Sequence, residues 1–252
     1  GNTYYVGTDG LSSILITSDD GHVLIDGGSS ESASLISANI ETLGFRLEDV
    51  KLILNSHAHF DHVGGIAQLQ RLSGAMILAS AWSAQAMRLG GSPVGDPQYR
   101  PGTIFDPIQS VTIINNGDTL AVGSISVTAH FTPGHTPGGT SWIWRSCDDG
   151  TCLNIVYADS LTSVSADDFY FTRSLEYPNA VADFEMSFAL LENLPCDILL
   201  SPHPGFANLF EVQSQAQADD GSNAFVDPNA CKLYASTMRE MFDLRIAREN
   251  EQ

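Results

Sequence analysis

The residues with the clearest capacity for chemistry are histidines, which cluster in one short stretch of the chain. Of the seven histidines in the sequence, His57, His59 and His62 fall within six residues of the run NSHAHFDHVGG, which also contains Asp61. Neutral imidazole and carboxylate are preferred ligands of zinc, and one short turn can bring them together at a small loop-closure cost. A single zinc ion rarely takes four ligands from one turn, so the pattern indicates ligands that are divided between metal ions.

Two more histidines lie in turns rich in proline and glycine. His135 occurs in the run TPGHTPGG and His203 in the run SPHPG, and each follows a strand-like segment. Taken alone, a histidine in such a turn is most often a surface or hydrogen-bonded residue. Beside the cluster at residues 57–62, however, two metals with three ligands each would account for all five histidines. We expect the remaining two, His22 in a hairpin-like turn and His130 in an apolar strand, to be structural.

The elements around the cluster determine where its side chains lie. Residues 50–55 have the apolar character of a buried strand, and Gly64 and Gly65 precede a helical pattern. The ligands therefore follow the carboxyl end of a strand. Open α/β sheets commonly place binding sites there, because the strand fixes the position and the loop is free to direct side chains.

The rest of the chain repeats this organisation in two halves, each of which is rich in strands and then helical. We expect helices over residues 30–43, 65–72, 80–89, 180–194 and 228–249, and strands over 3–6, 12–17, 22–25, 50–55, 76–79, 111–114, 119–122, 125–131, 140–144, 153–157 and 198–200. No linker or repeat interrupts residues 1–252, which we interpret as one domain. The pattern predicts an α/β fold in which two sheets pack face to face with helices outside, an αββα sandwich.

Residues 90–103 stand apart from this pattern, because they show no periodicity and are dense in turn residues. Long loops in compact domains are usually functional or disordered. Since this loop follows the half that carries the histidine cluster, it is either a loop that covers the substrate or a plain solvent loop.

Composition excludes several classes of partner. Thirty acidic and eleven basic residues give a formal net charge of −19, which would repel nucleic acid. The longest apolar runs fall well short of the roughly 20 residues that a membrane-spanning helix needs. We therefore expect a monomeric protein that acts on a small molecule and neither binds nucleic acid nor inserts into a membrane.

The four cysteines are distant from the histidine motifs, so metal ligation by them is disfavoured. Cys147 and Cys152 could close a small hairpin, and Cys196 and Cys231 would then form a second bridge. The alternative is four reduced thiols. Disulfides would imply an oxidising compartment, so we expect a periplasmic or secreted protein whose signal peptide was removed or is not included in the sequence.

The motifs HAHFDH, PGHTPGG and PHP together resemble the metallo-β-lactamase superfamily, and most specifically subclass B3 of the metallo-β-lactamases. The similarity extends over nearly the whole chain and implies the metallo-β-lactamase fold. It also implies that Asp26, in the run VLIDGG, is the family's aspartate that supports the metal ligands. The implied ligands are His57, His59 and His135 for a first zinc ion, and Asp61, His62 and His203 for a second.

This resemblance implies an enzyme of antibiotic resistance that opens the β-lactam ring by attack of a zinc-bound hydroxide, with two Zn²⁺ per chain. Asp61 would be the catalytic residue that orients the hydroxide. The chain has only two lysines, and neither lies three residues after a serine, so the Ser-x-x-Lys motif of serine β-lactamases is absent. Histidine at position 59, where iron-containing relatives have glutamate, favours zinc.

The segment ADSLT (158–162) distinguishes close relatives of this superfamily. In subclass B3 enzymes, Ser160 and Thr162 would bind the carboxylate of the substrate. In glyoxalase-like thioesterases, Asp159 would instead bridge both metals. A thioesterase or lactonase is therefore the alternative function, and a metal-binding domain without catalysis is the remaining one.

Overall fold

The computed structural model describes residues 1–218 and 224–251, which form two β-sheets with helices on both outer faces. The first sheet has the strand order β1-β2-β3-β4-β5-β6. Its first three strands are antiparallel, and β3 to β6 are mutually parallel. The strands are β1 (Thr3–Tyr5), β2 (Ile14–Ser18), β3 (Gly21–Ile25), β4 (Val50–Leu54), β5 (Met76–Ala79) and β6 (Val111–Ile113).

The second sheet has the order β11-β10-β9-β8-β7 and is antiparallel except for the pair β10 and β11. Its strands are β7 (Thr119–Val122), β8 (Ile125–Phe131), β9 (Thr140–Asp148), β10 (Thr151–Tyr157) and β11 (Ile198–Leu200). The hairpin of β9 and β10 is longer than the sequence pattern indicated, because pairing includes Cys147 opposite Cys152 and continues to Asp148 opposite Thr151. These two cysteines form a disulfide, and Cys196 and Cys231 form another, as predicted.

The helices lie where the apolar spacing predicted them, with two additions. They are α1 (Ala33–Thr42), α2 (Phe60–Val63), α3 (Ile66–Ser73), α4 (Ala81–Leu89), α5 (Ala180–Asn193), α6 (Leu209–Ala218) and α7 (Ala230–Asn250). The sequence pattern did not indicate α2 or α6. Among the helices that the structure describes, none combines the length and the apolar character needed to cross a bilayer.

Alternation along the strands divides the buried side chains among three cores, which confirms the predicted αββα sandwich. In β2, Ile14 and Ile16 belong to the core between the sheets, whereas Leu15 packs in the core under α1, α3 and α4. In β10, Tyr157 belongs to the central core, whereas Val156 packs with the aromatic side chains of α5 and α7. This is the period of two that a strand covered on both faces requires.

The carboxyl ends of β3, β4, β8, β10 and β11 lead into the segments that carry the predicted ligands and their neighbours. Hydrogen bonds join the sheets there, and two of them come from β9. The Trp142 indole donates to the Asn55 carbonyl at 3.1 Å, and the Thr140 amide donates to the Ser56 carbonyl at 2.8 Å. Segments from both halves of the chain therefore converge on one edge of the sandwich.

Candidate metal centre

The loop after β4 is held by Asp26, which follows β3. Its buried carboxylate accepts hydrogen bonds from the Ser56 amide at 2.7 Å, the Ser56 hydroxyl at 2.6 Å and the Tyr157 hydroxyl at 2.8 Å. Burial raises the pKa of Asp26 to about 7, although these hydrogen bonds oppose the shift. Asp26 lies outside both of the ligand clusters described below and fixes the backbone that precedes His57.

His57, His59 and His135 form the first cluster, and their potential ligand atoms all lie within 4.8 Å of one another. Each ring is oriented by an oxygen atom on its outer side. Nδ1 of His57 lies 2.7 Å from Oδ1 of Asp159, and Nδ1 of His135 lies 2.7 Å from the Thr162 carbonyl oxygen.

The His59 ring is oriented through Nε2 and not through Nδ1. This nitrogen lies 3.0 Å from Oδ1 of Asp96. The opposite nitrogens of His59 and His135 face a common space, since the Gln98 amide nitrogen lies 3.5 Å from His59 Nδ1 and 3.4 Å from His135 Nε2. Nε2 of His57 is buried and has no hydrogen-bond partner among the described residues. Each ring thus keeps one nitrogen available for a ligand bond, an arrangement typical of zinc-binding histidines.

Asp61, His62 and His203 form the second cluster, again with potential ligand atoms within 4.8 Å of one another. Oδ2 of Asp61 lies 3.4 Å from His62 Nε2 and 3.6 Å from His203 Nε2. His203 Nδ1 lies 3.3 Å from the Gly10 carbonyl oxygen. The two clusters are neighbours, because the ring centroids of His57 and His62 are 4.4 Å apart.

Burial keeps three of these imidazoles, those of His57, His62 and His135, in the neutral form that binds metal. It lowers the pKa of His62 and of His135 to about 3, and it lowers the pKa of His57 well below its usual range. Neutral imidazole is the ligand form. The first cluster offers three nitrogens, and the second offers a carboxylate and two nitrogens. Among the described residues, His57 Nε2 and both ring nitrogens of His62 are buried without a hydrogen-bond partner. This set of donor atoms fits zinc.

A cavity of about 640 Å³ opens over both clusters, and all six residues line it. Its other walls come from the segment after α4, from the start of the segment after β10 and from the turn after β11. Besides Phe60 of α2, the residues of these walls are Ser92, Gln98, Arg100, Ile104, Phe105, Thr162, Val164, Gly205 and Phe206. The cavity is of a size that accommodates a small organic molecule.

The turn-rich loop of residues 90–103 forms one side of this cavity. The amides of Ile104 and Phe105 both donate to the Gly90 carbonyl, which closes the base of the loop. Gln98 and Arg100 lie in the cavity wall. The segment thus borders the cavity, and its role as a loop that covers the substrate stays a prediction.

The two hydroxyl residues predicted to bind substrate lie in different environments. Thr162 lines the cavity, and its hydroxyl oxygen lies 3.1 Å from His135 Nδ1. Ser160 is 1% exposed and is absent from the cavity wall, and its hydroxyl has no hydrogen-bond partner among the described residues. A substrate contact by Ser160 stays a prediction.

Asp159 is buried, and burial raises the pKa of its carboxyl well above the usual range. Its contact with the outer nitrogen of His57 agrees with a supporting role, and it belongs to neither ligand cluster. His22 and His130 also lie outside both clusters, as expected.

Sequence reasoning missed three residues of the site, all in the loop of residues 90–103. They are Asp96, which contacts His59, and Gln98 and Arg100, which line the cavity. Their local pattern, VGDPQYRPG, indicates only turns. The lack of periodicity identified the loop as unusual, but it did not indicate which of the loop's side chains belong to the site.

The known proteins that this chain resembles are metallo-beta-lactamases, in agreement with the two clusters of metal-binding residues. The family model described as metallo-beta-lactamase superfamily matches residues 6–148. The solved structure of the Rm3 metallo-beta-lactamase is 53% identical, with a TM-score of 0.96, and the match covers 99% of this chain and 93% of that one. MEM-A1, described as a subclass B3 metallo-beta-lactamase from a soil metagenome library, is 48% identical with a TM-score of 0.96, and the match covers 100% and 95% of the two chains.

More distant relatives are known by other activities. A probable metallo-hydrolase of Burkholderia pseudomallei is 30% identical over 44% of this chain and 36% of its own length. A hydroxyacylglutathione hydrolase of Anaeromyxobacter dehalogenans is 28% identical over 55% of this chain and 44% of its own. The N-acyl homoserine lactonase AttM of Azorhizobium caulinodans is 26% identical over 55% of this chain and 61% of its own length. The chain thus spans between about a third and three-fifths of the length of these relatives.

Proposed function

Because this chain belongs to the metallo-beta-lactamase superfamily, we propose that it is a zinc-dependent β-lactamase of subclass B3 that binds two Zn²⁺ and hydrolyses the β-lactam ring of antibiotics. The observation that supports this most directly is the pair of three-residue clusters facing one cavity, in a chain that matches such enzymes over its whole length.

His57, His59 and His135 would hold one zinc ion, and Asp61, His62 and His203 the other. Bound zinc in such a site polarises a carbonyl, lowers the pKa of water and stabilises a leaving nitrogen. Asp159, Asp96 and the Thr162 carbonyl orient the three rings of the first cluster from outside. These contacts fix the direction in which the ligand nitrogens point.

Asp61 is the proposed catalytic side chain, because it lines the cavity and belongs to the second cluster, where its Oδ2 lies 3.4 Å from His62 Nε2. With Oδ2 near His62 and His203, the other carboxylate oxygen would accept a hydrogen bond from water and orient it toward the substrate carbonyl. Asp61→Asn should lower turnover by at least ~10- to 100-fold, as expected for a disrupted metal shell, while the fold is retained.

Two groups in the cavity wall suit the carboxylate that lies beside the β-lactam nitrogen. The Thr162 hydroxyl borders the first cluster, and the Arg100 side chain supplies a positive charge from the loop of residues 90–103. Both lysines of the chain lie outside the cavity wall. We therefore assign the recognition of substrate charge to Arg100, Thr162 and the metals, with Ser160 as a further candidate.

The alternative functions follow from the relatives known as a hydroxyacylglutathione hydrolase and an N-acyl homoserine lactonase. The thioesterase alternative needs Asp159 to bridge the metals, whereas its Oδ1 contacts the outer nitrogen of His57. This geometry favours the β-lactamase.

A hydrolysis panel tests the proposal. The zinc-loaded protein should hydrolyse nitrocefin, a chelator should abolish this activity, and added zinc should restore it. Parallel assays with a glutathione thioester and a homoserine lactone should give much lower kcat/KM values. A preference for either of those substrates over every β-lactam tested would overturn the assignment.

We further propose that the protein works in the periplasm or outside the cell as a monomer and confers antibiotic resistance. The two disulfides support the choice of compartment, because such bridges persist in oxidising environments. Expression in a β-lactam-sensitive bacterium, with and without export, tests this proposal through the drug concentration that inhibits growth.

A further inference from the structure

Residues 162–165, which we call the strap, separate the main cavity from a smaller polar cleft. Thr162 and Val164 line the main cavity, whereas Ser163 and Ser165 line the cleft on the other side, which has a volume of about 290 Å³. This alternation is that of an extended segment. The strap is a single chain thick, so the contacts on its cleft side determine where the cavity wall stands.

The contacts on the cleft side come from the end of α7. One guanidinium nitrogen of Arg245 donates to the Ser165 hydroxyl and to the Phe169 carbonyl, each at 2.9 Å. The same side chain donates through Nε to Glu249 at 2.7 Å. Arg245 therefore joins the strap to a carboxylate on its own helix.

Glu249 fixes the chain just beyond the strap. Its side chain is almost fully buried and accepts hydrogen bonds from the Phe171 amide at 3.2 Å, the Thr172 amide at 2.9 Å and the Thr172 hydroxyl at 2.9 Å. A carboxylate that accepts two backbone amides and a guanidinium is a strong anchor, because hydrogen bonds to charged groups are the stronger class.

The chain just after the strap also contacts the loop of residues 90–103, which forms another part of the cavity wall. The Ala166 amide donates to the Pro97 carbonyl at 2.8 Å, and Pro97 lies between Asp96 and Gln98. A displacement of residues 165–172 would therefore alter both sides of the cavity, although the bond between Thr162 and His135 would still hold the start of the strap.

We propose that Arg245 and Glu249 are positioning residues for substrate binding, which hold the strap and, through it, the loop of residues 90–103 in the conformation that accepts substrate. This inference rests on the proposed β-lactam hydrolysis. Neither residue lines the main cavity, so neither contacts the substrate directly. They act by raising the fraction of molecules in which the cavity wall has the conformation that accepts substrate. The apparent affinity for substrate falls in proportion to that fraction.

Glu249→Gln tests this proposal, because it preserves the shape of the side chain but replaces one acceptor oxygen with a donor. The matched control is Glu185→Gln, which breaks the ion pair of Glu185 and Arg239 between α5 and α7, away from the strap. We expect Glu249→Gln to raise KM for nitrocefin on the order of tenfold, with kcat and zinc content unchanged. The control should leave all three unchanged.

Hydrogen exchange supplies a readout that does not depend on activity. The amides of Phe171 and Thr172 should exchange at least ~10-fold faster in Glu249→Gln than in the wild type and the control. Ser165→Ala, which removes one strap contact and leaves Glu249 intact, provides a second variant in case Glu249→Gln fails to fold. It should raise KM by a smaller factor.

An unchanged KM in both Glu249→Gln and Ser165→Ala would overturn the inference. A Glu249→Gln protein that loses kcat, zinc content and overall stability together would also overturn it, because the effect would then not be specific to substrate binding. If the wild-type protein hydrolyses no β-lactam, the proposed function fails instead. Unchanged exchange at Phe171 and Thr172 in Glu249→Gln would then overturn the anchoring role separately.

Discussion

Oδ1 of Asp96 lies 3.0 Å from Nε2 of His59, so the loop that borders the cavity also orients a proposed metal ligand. Asp96 is 3% exposed, and its carboxylate additionally accepts a hydrogen bond from the Gln98 amide at 2.8 Å. Burial is the largest single influence on the pKa of Asp96 and would raise it, but the contact with His59, the Gln98 amide and the nearby His135 together lower it below its usual value. We therefore expect loop conformation and metal affinity to be coupled through this carboxylate.

Asp96→Asn should weaken metal binding at the first cluster by roughly 10- to 100-fold, as expected when the partner of a ligand histidine is altered. Competition with a zinc-binding dye measures this change directly. Asp106→Asn is the matched control. Asp106 is exposed and lies close in sequence to the same loop, and in the described part of the chain its side chain pairs only with Arg71. Equal zinc affinity in Asp96→Asn and the wild type would refute the coupling.

The number of metal ions per chain provides a second test. The six clustered residues divide into two sets of three, so elemental analysis should find two zinc ions per chain at saturation. His62→Ala should reduce the count to one, because it removes a buried ligand of the second cluster only. His130→Gln, which alters a histidine outside both clusters, should leave two. One zinc ion in both the wild type and His62→Ala would eliminate the second site.

Substrate recognition by the segment after β10 can be tested with paired variants. Thr162→Val removes the hydroxyl but keeps the backbone carbonyl that orients His135, so KM should rise about 10-fold or more with unchanged zinc content. The sequence pattern predicts a similar effect, roughly 10- to 100-fold, for Ser160→Ala, despite the burial of that hydroxyl. If both variants leave KM unchanged and Asp159→Ala removes zinc, the thioesterase alternative is the better one.

The two disulfides should contribute unequally to stability. The bridge between Cys196 and Cys231 spans 35 residues and that between Cys147 and Cys152 spans 5. Chain entropy then predicts a stabilisation of ~4 kcal/mol for the first and ~2 kcal/mol for the second. Urea unfolding of the two double-alanine variants measures these losses. A larger loss from removal of the short bridge would contradict the entropic explanation.

Much of the fold could be predicted because the strands alternate clearly and end in recognisable turns. The helix α6 was not indicated by the sequence, since its segment, LFEVQSQAQA, is largely polar and carries little apolar periodicity. The short helix α2 escaped notice for a different reason. It lies within the ligand motif itself, where the residues are determined by chemistry and not by packing.

The site was predictable to the extent that its residues lie in spaced motifs. His57, His59, His62 and Asp61 share one turn, and the structure brings His135 and His203 to them from distant turns. Asp96 has no such signal, because a single aspartate in a turn is ordinary. The contact of Asp96 with His59 arises only when the loop folds back over the cluster, which local pattern does not encode.

The division of the clusters between the halves of the sandwich has a consequence for folding kinetics. Residues 57–62 supply four of the six proposed ligands, whereas His135 and His203 arrive from the second sheet, so neither half holds a complete set for either ion. Tight zinc binding therefore requires that the sheets have already docked. Zinc would bind the native state far better than any partly folded chain, and it should mainly slow unfolding, with little effect on the rate of the earlier collapse.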